Sequence, residues 1–241
     1  MEDTYISFTT HEKRVQKIRP MLSSVLDQWP KDKVILTVAH SLELPVFLKD
    51  SGIHIVRSAD YGAFKKHSPL YINLGIQQYI VVDDDCIFPN GWFDNLLNWS
   101  NKLPGQVLCG KGRIWKPSDT LHFPNSKAIH SGYIIEPVPC HVYLGIGTAL
   151  FRTDFFEDDV FPFPEKIFDY SDDIWISAKL KDNVKIYVVP YSKEEHSGTF
   201  GRPKALEYAK EHSLWRKERA NDYASWDTAL RDFRSKIFSR K

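Results

Sequence analysis

The chain has 241 residues, of which 42% are apolar and 14% aromatic, and its formal net charge is +1. That is enough apolar surface for one large α/β domain or two small ones, and it excludes wholesale disorder. A net charge so close to zero argues against a nucleic-acid binder held by phosphate contacts. The charge is also uneven. Residues 202–241 hold eleven Lys/Arg against six Asp/Glu, a net of +5, which leaves −4 for residues 1–201. The three cysteines, Cys86, Cys109 and Cys140, are few and widely spaced, which fits a reducing compartment and excludes a cysteine zinc site. The opening "MEDTYISFTT" lacks the features of a signal peptide, and no stretch approaches ~18 apolar residues. The expectation is a soluble, cytoplasmic protein.

Along the chain, "TYISFTT" (4–10) predicts a first strand. Residues 19–29 predict a helix, with Pro20 in its first turn and Leu22, Val25, Leu26 and Trp29 on one face. Strands are predicted at 33–40 and 53–58, with a helix or turn at 42–52 between them. Residues 68–78 predict a helix, and "YIVVD" (79–83) a fourth strand. This alternation predicts a parallel, doubly wound sheet. Further on, a helix is expected at 91–103 and strands at 106–110 and 128–136. Residues 142–152 read as a strand broken by Gly145 and Gly147, 171–183 as a helix and 184–190 as a last strand. Two helical patterns close the chain, at 204–219 and 223–238. In the second, Trp226, Leu230, Phe233 and Ile237 share a face. The expected organisation is a domain over 1–203, with halves at about 1–110 and 111–203, and a helical appendage over 204–241.

The chemistry concentrates in "YIVVDDDCIFP" (79–89), where a buried strand runs straight into Asp83, Asp84 and Asp85. On an extended chain Asp83 and Asp85 point the same way. Two carboxylates at the carboxyl end of a strand make a hard oxygen site suited to Mg²⁺ or Mn²⁺, where open α/β sheets bind ligands. An Asp-rich turn capping the next helix is the structural alternative.

"VVDDDCIFP" resembles the DxD motif of nucleotide-sugar-dependent glycosyltransferases of the GT-A fold. Other segments resemble that family in the family's order: "ISFTTHEKRVQKIRPMLSSVLDQ", "RSADYGAFKKHSPL", "YLGIGTALFR" and "YSDDIWIS". The resemblance covers about residues 4–200. It implies a GT-A fold, Rossmann-like, with a mostly parallel central sheet flanked by helices. It also implies a UDP-sugar donor, a glycan or glycoconjugate acceptor and a divalent metal, Mn²⁺ or Mg²⁺. Asp83, Asp85 and a late histidine, His196, become the metal candidates. Thr9, Thr10, Arg14, Asp60, Lys65 or Lys66, Asp83, Asp84, Gly145 and Gly147 become donor-side candidates. Asp172 and Asp173 become acceptor-side candidates, Asp173 first, either as a base or as a clamp on the acceptor hydroxyl. Lys111, Arg113, Trp115 and His141 are weaker candidates.

Each has an ordinary structural reading too. Asp172 and Asp173 suit a helix start capped by Ser171, and the glycines suit a β-bulge. The basic C-terminal helices pack on the domain or meet a membrane or a neighbouring domain. A sugar-phosphate nucleotidyltransferase is the rival enzyme, but "SFTTHEKR" has no glycine after the first strand. A non-catalytic sugar-binding module is the rival from another class.

Overall fold

The structure is a computed structural model that describes residues 4–116, 119–120, 122–163, 171–191, 203–209 and 224–239. In chain order the elements are β1 (Thr4–Thr9), α1 (Arg19–Leu26), β2 (Val34–Ala39), α2 (Val46–Lys49), β3 (His54–Ser58), β4 (Gln78–Val81), β5 (Cys86–Ile87), α3 (Trp92–Lys102), β6 (Val107–Cys109), β7 (Lys111–Ile114), β8 (Lys127–His130), β9 (Val138–Cys140), β10 (Val142–Tyr143), β11 (Ala149–Arg152), α4 (Asp172–Ala178), β12 (Ile186–Val188), β13 (Lys204–Ala205), α5 (Ala224–Asp232) and α6 (Arg234–Ser239).

The main sheet has eight strands in the order β3-β2-β1-β4-β11-β6-β12-β9. Strands β1 to β4 run parallel to one another, and β6 is parallel to β12. Apolar side chains on both faces explain why β2 and β4 read as hydrophobic runs, whereas β1 carries Ser7 between Ile6 and Phe8 and the edge strand β3 exposes His54 and Arg57. Ile80 and Val82 pack on one side with Ile6 and Phe8 of β1, Met21 and Val25 of α1, and Trp92, Phe93 and Leu96 of α3. Tyr79 and Val81 pack on the other with Phe64, Phe151, Trp175 and Ile176. The period of two is thus kept, with helices over each face.

The sheet is mixed rather than wholly parallel, because β11 runs antiparallel between β4 and β6, and β9 runs antiparallel at the edge. Residues 142–152 are not one interrupted strand. β10 pairs with β7 in a separate three-stranded sheet, and β11 joins the main sheet. The chain from β3 to β4 also differs from the expected helix over 68–78. It is a 3₁₀ run at Gly62–Leu70, broken at His67 (φ −95°, ψ 25°) and followed by irregular chain up to β4. Pro69 disfavours helical backbone at Ser68, and Gly75 takes φ +66°.

The expected helix over 204–219 begins instead as strand. β13 pairs with β5, and a 3₁₀ turn follows at Glu207–Ala209; residues 210–219 lie outside the described set. The last expected helix is two helices, α5 and α6, with a turn at Phe233. Leu230 and Ile237 are buried with Ala229 against Ile174 and Ala178 of α4, and Phe233 meets Trp175 edge-on at 5.4 Å. Their apolar face is therefore packed on the domain. The Trp226 side chain lies outside the description. Among the described residues no helix is long and apolar enough to cross a membrane.

Candidate active site

In the strand order 3-2-1-4, the chain leaves β1 for β2 on one side and returns as β4 on the other. The crevice beyond the carboxyl ends of β1 and β4 is therefore a topological switch point, the place where open α/β sheets take ligands. Three segments converge there: residues 10–14 after β1, residues 83–85 after β4, and the 3₁₀ run tied to β1 through Ser7.

The strand ends at Val81, and Asp84 and Asp85 sit in a turn rather than on extended chain. The turn has a clear electrostatic cause. Asp84 is buried, and its two oxygens accept from Thr10 Oγ1 at 2.7 Å and Arg14 Nη1 at 2.6 Å. Arg14 also lies 3.0 Å from Asp85. Asp84 is thus turned inward and tied to the β1 loop, while Asp83 and Asp85 flank it. The Asp85 carboxyl is pushed up to about 6, first by burial and next by the Asp83 charge, against the pull of Arg14. One guanidinium does not neutralise this turn.

Thr9 donates to the Thr37 carbonyl at 2.7 Å, which places it on the sheet rather than on the carboxylates. Asp60 is paired with Lys65 and accepts from the Gly62 N–H at 3.1 Å. Its carboxyl is held below the usual range by Lys65 first, with His11 of the β1 loop close enough to contribute. Lys65 therefore belongs with Asp60, and its neighbour Lys66 is the lysine that joins Arg14 at the aspartate cluster. Lys66 Nζ lies 2.9 Å from Asp83 and 2.8 Å from Asp172. Its backbone is fixed by Ser7 Oγ, which donates to the Lys66 carbonyl at 2.7 Å. Asp172 and Asp83, with Asp173 nearby, outweigh the burial cost and raise the affinity of this ammonium for its proton well above normal. His67 next in the chain is buried between the hydroxyls of Tyr79 (3.2 Å) and Tyr143 (3.0 Å), and burial keeps it neutral.

On the far side, Ser171 makes no capping bond to α4. The two acids at that helix start serve tertiary contacts instead. Asp172 pairs with Lys66, and Asp173 accepts from the Gly145 N–H at 3.0 Å. Burial, reinforced by Asp172, pushes the Asp173 carboxyl well above the usual range. A single lysine therefore joins the carboxylates after β4 to those at the start of α4. Sequence periodicity does not reveal it, because a buried lysine in "FKKH" looks like a solvated charge.

The glycines of 145–147 have steric causes. A Cβ at Gly145 would lie 2.6 Å from Lys66 Nζ and 3.0 Å from Asp83 Oδ1, and one at Gly147 would lie 2.4 Å from the Lys111 backbone nitrogen. Thr148 follows at φ +57°, ψ 159°, backbone that normally requires glycine and costs about 1–3 kcal/mol. Trp92 Nε1 holds it by donating to Thr148 Oγ1 at 2.8 Å. The two glycines predict different outcomes. Gly147→Ala meets rigid backbone and should cost about 1–3 kcal/mol in urea unfolding. Gly145→Ala meets side-chain tips and should disturb the Lys66–Asp83 pair, lowering ligand affinity more than stability. Equal losses of stability in both variants would contradict this distinction.

Of the weaker candidates, Trp115 is buried; its backbone N–H donates to His141 Nδ1 at 3.0 Å and its indole N–H to the His122 carbonyl at 3.1 Å. Arg113 stacks on Phe123 at 3.9 Å and donates to Ser126, away from the aspartates. His196 lies outside the described residues. Among the described residues no three His, Cys, Asp or Glu side chains gather in a metal-holding group. Asp83 and Asp85 are nonetheless hard oxygen donors in one turn, the Asp83 charge raising the Asp85 carboxyl, and that chemistry fits a divalent cation.

No protein-family model matches the chain, and no curated protein does. Among solved structures it is similar to the crystal structure of GalNAc-T7 with UDP, GalNAc and Mn²⁺, at a TM-score of 0.53 and 14% identity. The two share a fold. The match covers 96% of this chain and 54% of that one, so the chain spans about half the length of that protein.

Proposed function

We propose that this protein is a divalent-metal-dependent glycosyltransferase. It moves a sugar from a nucleoside-diphosphate sugar, a UDP-sugar, to a hydroxyl of a glycan or glycoconjugate. The observation that carries the reading is the bridge at the switch point: Lys66 joins Asp83 of the carboxylate turn to Asp172, beside Asp173. The likeness to GalNAc-T7, whose structure contains UDP, GalNAc and Mn²⁺, supports the class of ligand.

In this reading Asp83 and Asp85 hold the cation, with His196 as a third ligand. Once bound, the cation supplies Lewis-acid stabilisation of the departing diphosphate. Arg14 and Thr10 fix the turn by holding Asp84, so the metal-holding carboxylates keep their directions. The end of β1 at Thr9, the loop at Thr10 and the Asp60–Lys65 pair border the nucleotide. Gly145 and Gly147 let the backbone come close to the donor sugar. Asp173, held toward the cleft by the Gly145 N–H and beside the Lys66–Asp172 pair, accepts a proton from the acceptor hydroxyl. If the enzyme retains configuration, the same group orients the hydroxyl instead.

Asp173→Asn separates these roles. Metal-dependent affinity for the sugar nucleotide should stay within a few-fold of wild type, and transfer should fall by ~10² or more. Turnover of a donor panel with Mn²⁺ or EDTA measures both, and NMR of the product anomer separates base from clamp. Transfer at the wild-type rate in Asp173→Asn would move the acceptor site elsewhere. The absence of turnover with every donor, despite tight binding, would favour a sugar-binding module.

A further inference from the structure

The carboxylate turn is also held from the C-terminal part of the chain. Leu206 donates its backbone N–H to the Asp85 carbonyl at 2.7 Å. The Tyr208 hydroxyl donates to the Asp84 carbonyl at 2.8 Å. Just before them, β13 pairs antiparallel with β5, Lys204 opposite Ile87 and Ala205 opposite Cys86. Every residue from Asp84 to Ile87 is thus matched by a partner in the segment Lys204–Tyr208.

These contacts have a geometric consequence. The Asp84 carbonyl belongs to the peptide plane before the Asp85 Cα, and the Asp85 carbonyl to the plane after it. Peptide units are planar, so anchoring both planes fixes the two backbone dihedrals of Asp85 and with them the direction of its Cα–Cβ bond. The anchor is itself supported. Leu206 packs on the core cluster that contains α1, and the Lys17 ammonium lies 5.9 Å from the Tyr208 ring, just beyond the loop that carries Arg14. A two-residue strand pair is marginal alone, so the two flanking hydrogen bonds carry much of the hold on the turn.

We infer that Lys204–Tyr208 is a clamp that aims the Asp85 carboxylate, with Tyr208 as a positioning residue for the cation and diphosphate that Asp85 serves. The inference rests on the function proposed above. Tyr208→Phe removes only the hydroxyl; Leu206→Pro removes the second donor together with the Leu206 side chain that packs on the core. Calorimetry with UDP and Mn²⁺ should show binding about fivefold or more weaker in Tyr208→Phe, the effect of one hydrogen bond. With EDTA, wild type and variant should bind UDP alike, and the melting temperature should fall by no more than about 2–4 °C. Hydrogen exchange without ligand should be faster at residues 82–88 in both variants. Unchanged Mn²⁺-dependent affinity in Tyr208→Phe and in any folded Leu206→Pro overturns the clamp. A wild-type UDP affinity indifferent to Mn²⁺ overturns the functional reading instead. Hydrogen exchange then decides the clamp alone, and unchanged exchange at 82–88 overturns it.

Discussion

Asp85→Ala should reduce UDP binding in Mn²⁺ to the level seen in EDTA and lower sugar transfer by about 10²–10³, the usual effect of losing one preorganised electrostatic contribution. The size follows from position. Asp84 is committed to Thr10 and Arg14, and Asp83 is paired with Lys66, so Asp85 is the acid of the turn with the least compensated charge. The loss should not come from unfolding. The folded value of about 6 lies above the ordinary 3.8, so the ionised group opposes folding when no cation is bound. That cost is present above about pH 6 and disappears as pH falls through 6 toward 4. Asp85→Asn should therefore be at least as stable as wild type at pH 7.5 without metal, and the difference should vanish near pH 4. Urea unfolding at the two pH values checks this, and a destabilised variant at pH 7.5 would contradict it.

Lys66→Met should be the most destabilising single substitution at the site. The lysine is buried, with Asp83 and Asp172 in contact and Asp173 nearby. Methionine keeps the volume but leaves three carboxylates to face one another. Removing one partner of a buried ion pair costs about 3–5 kcal/mol. The pH dependence has a definite sign. Without the ammonium the carboxylates bind protons more tightly in the folded state than in the unfolded one. The variant should then regain stability as pH falls from neutrality toward about 4, the ordinary carboxylate value, below which both states are protonated. Wild type, whose lysine has its folded proton affinity raised, keeps the ion-pair contribution at neutral pH and loses it only above pH ~10.5. Denaturant titrations between pH 4.5 and 8 measure the difference. A Lys66→Met variant as stable as wild type at pH 8 would show that the lysine does not neutralise the cluster.

What could be read from the sequence was what periodicity and local chemistry encode. Strands β2 and β4 were legible because Val34, Ile35, Leu36, Ile80 and Val81 are buried in apolar runs, β1 because Ile6 and Phe8 alternate with polar residues, and β3 rests on Ile55 and Val56 alone. The carboxylate turn was legible because three acids directly after such a run need compensation. The partners that supply it were only partly legible. Arg14 follows the first strand, where a nucleotide loop is expected, but its tie to Asp84 joins residues seventy positions apart. Lys66 rather than Lys65 enters the cluster because the 3₁₀ backbone, kinked at His67, sends neighbouring side chains in different directions. A helical reading of that crossover cannot show this. The antiparallel entry of β11 was hidden because its four residues look like the continuation of 142–147, and only Thr148 at positive φ marks the change of sheet. β13 was masked by the helical character of the chain around it.

Thermal unfolding of the unmodified protein with UDP and Mn²⁺ tests the central claim most directly. A ligand at ~100 times its dissociation constant stabilises by about 2.7 kcal/mol, which for a domain of this size raises the midpoint by roughly 5–10 °C. The predicted result is a rise of that size with UDP and Mn²⁺ together, and a much smaller one with UDP in EDTA or Mn²⁺ alone. An unchanged midpoint with both present, or an equal rise in EDTA, would contradict the claim that the turn after β4 holds a nucleoside diphosphate through a divalent cation.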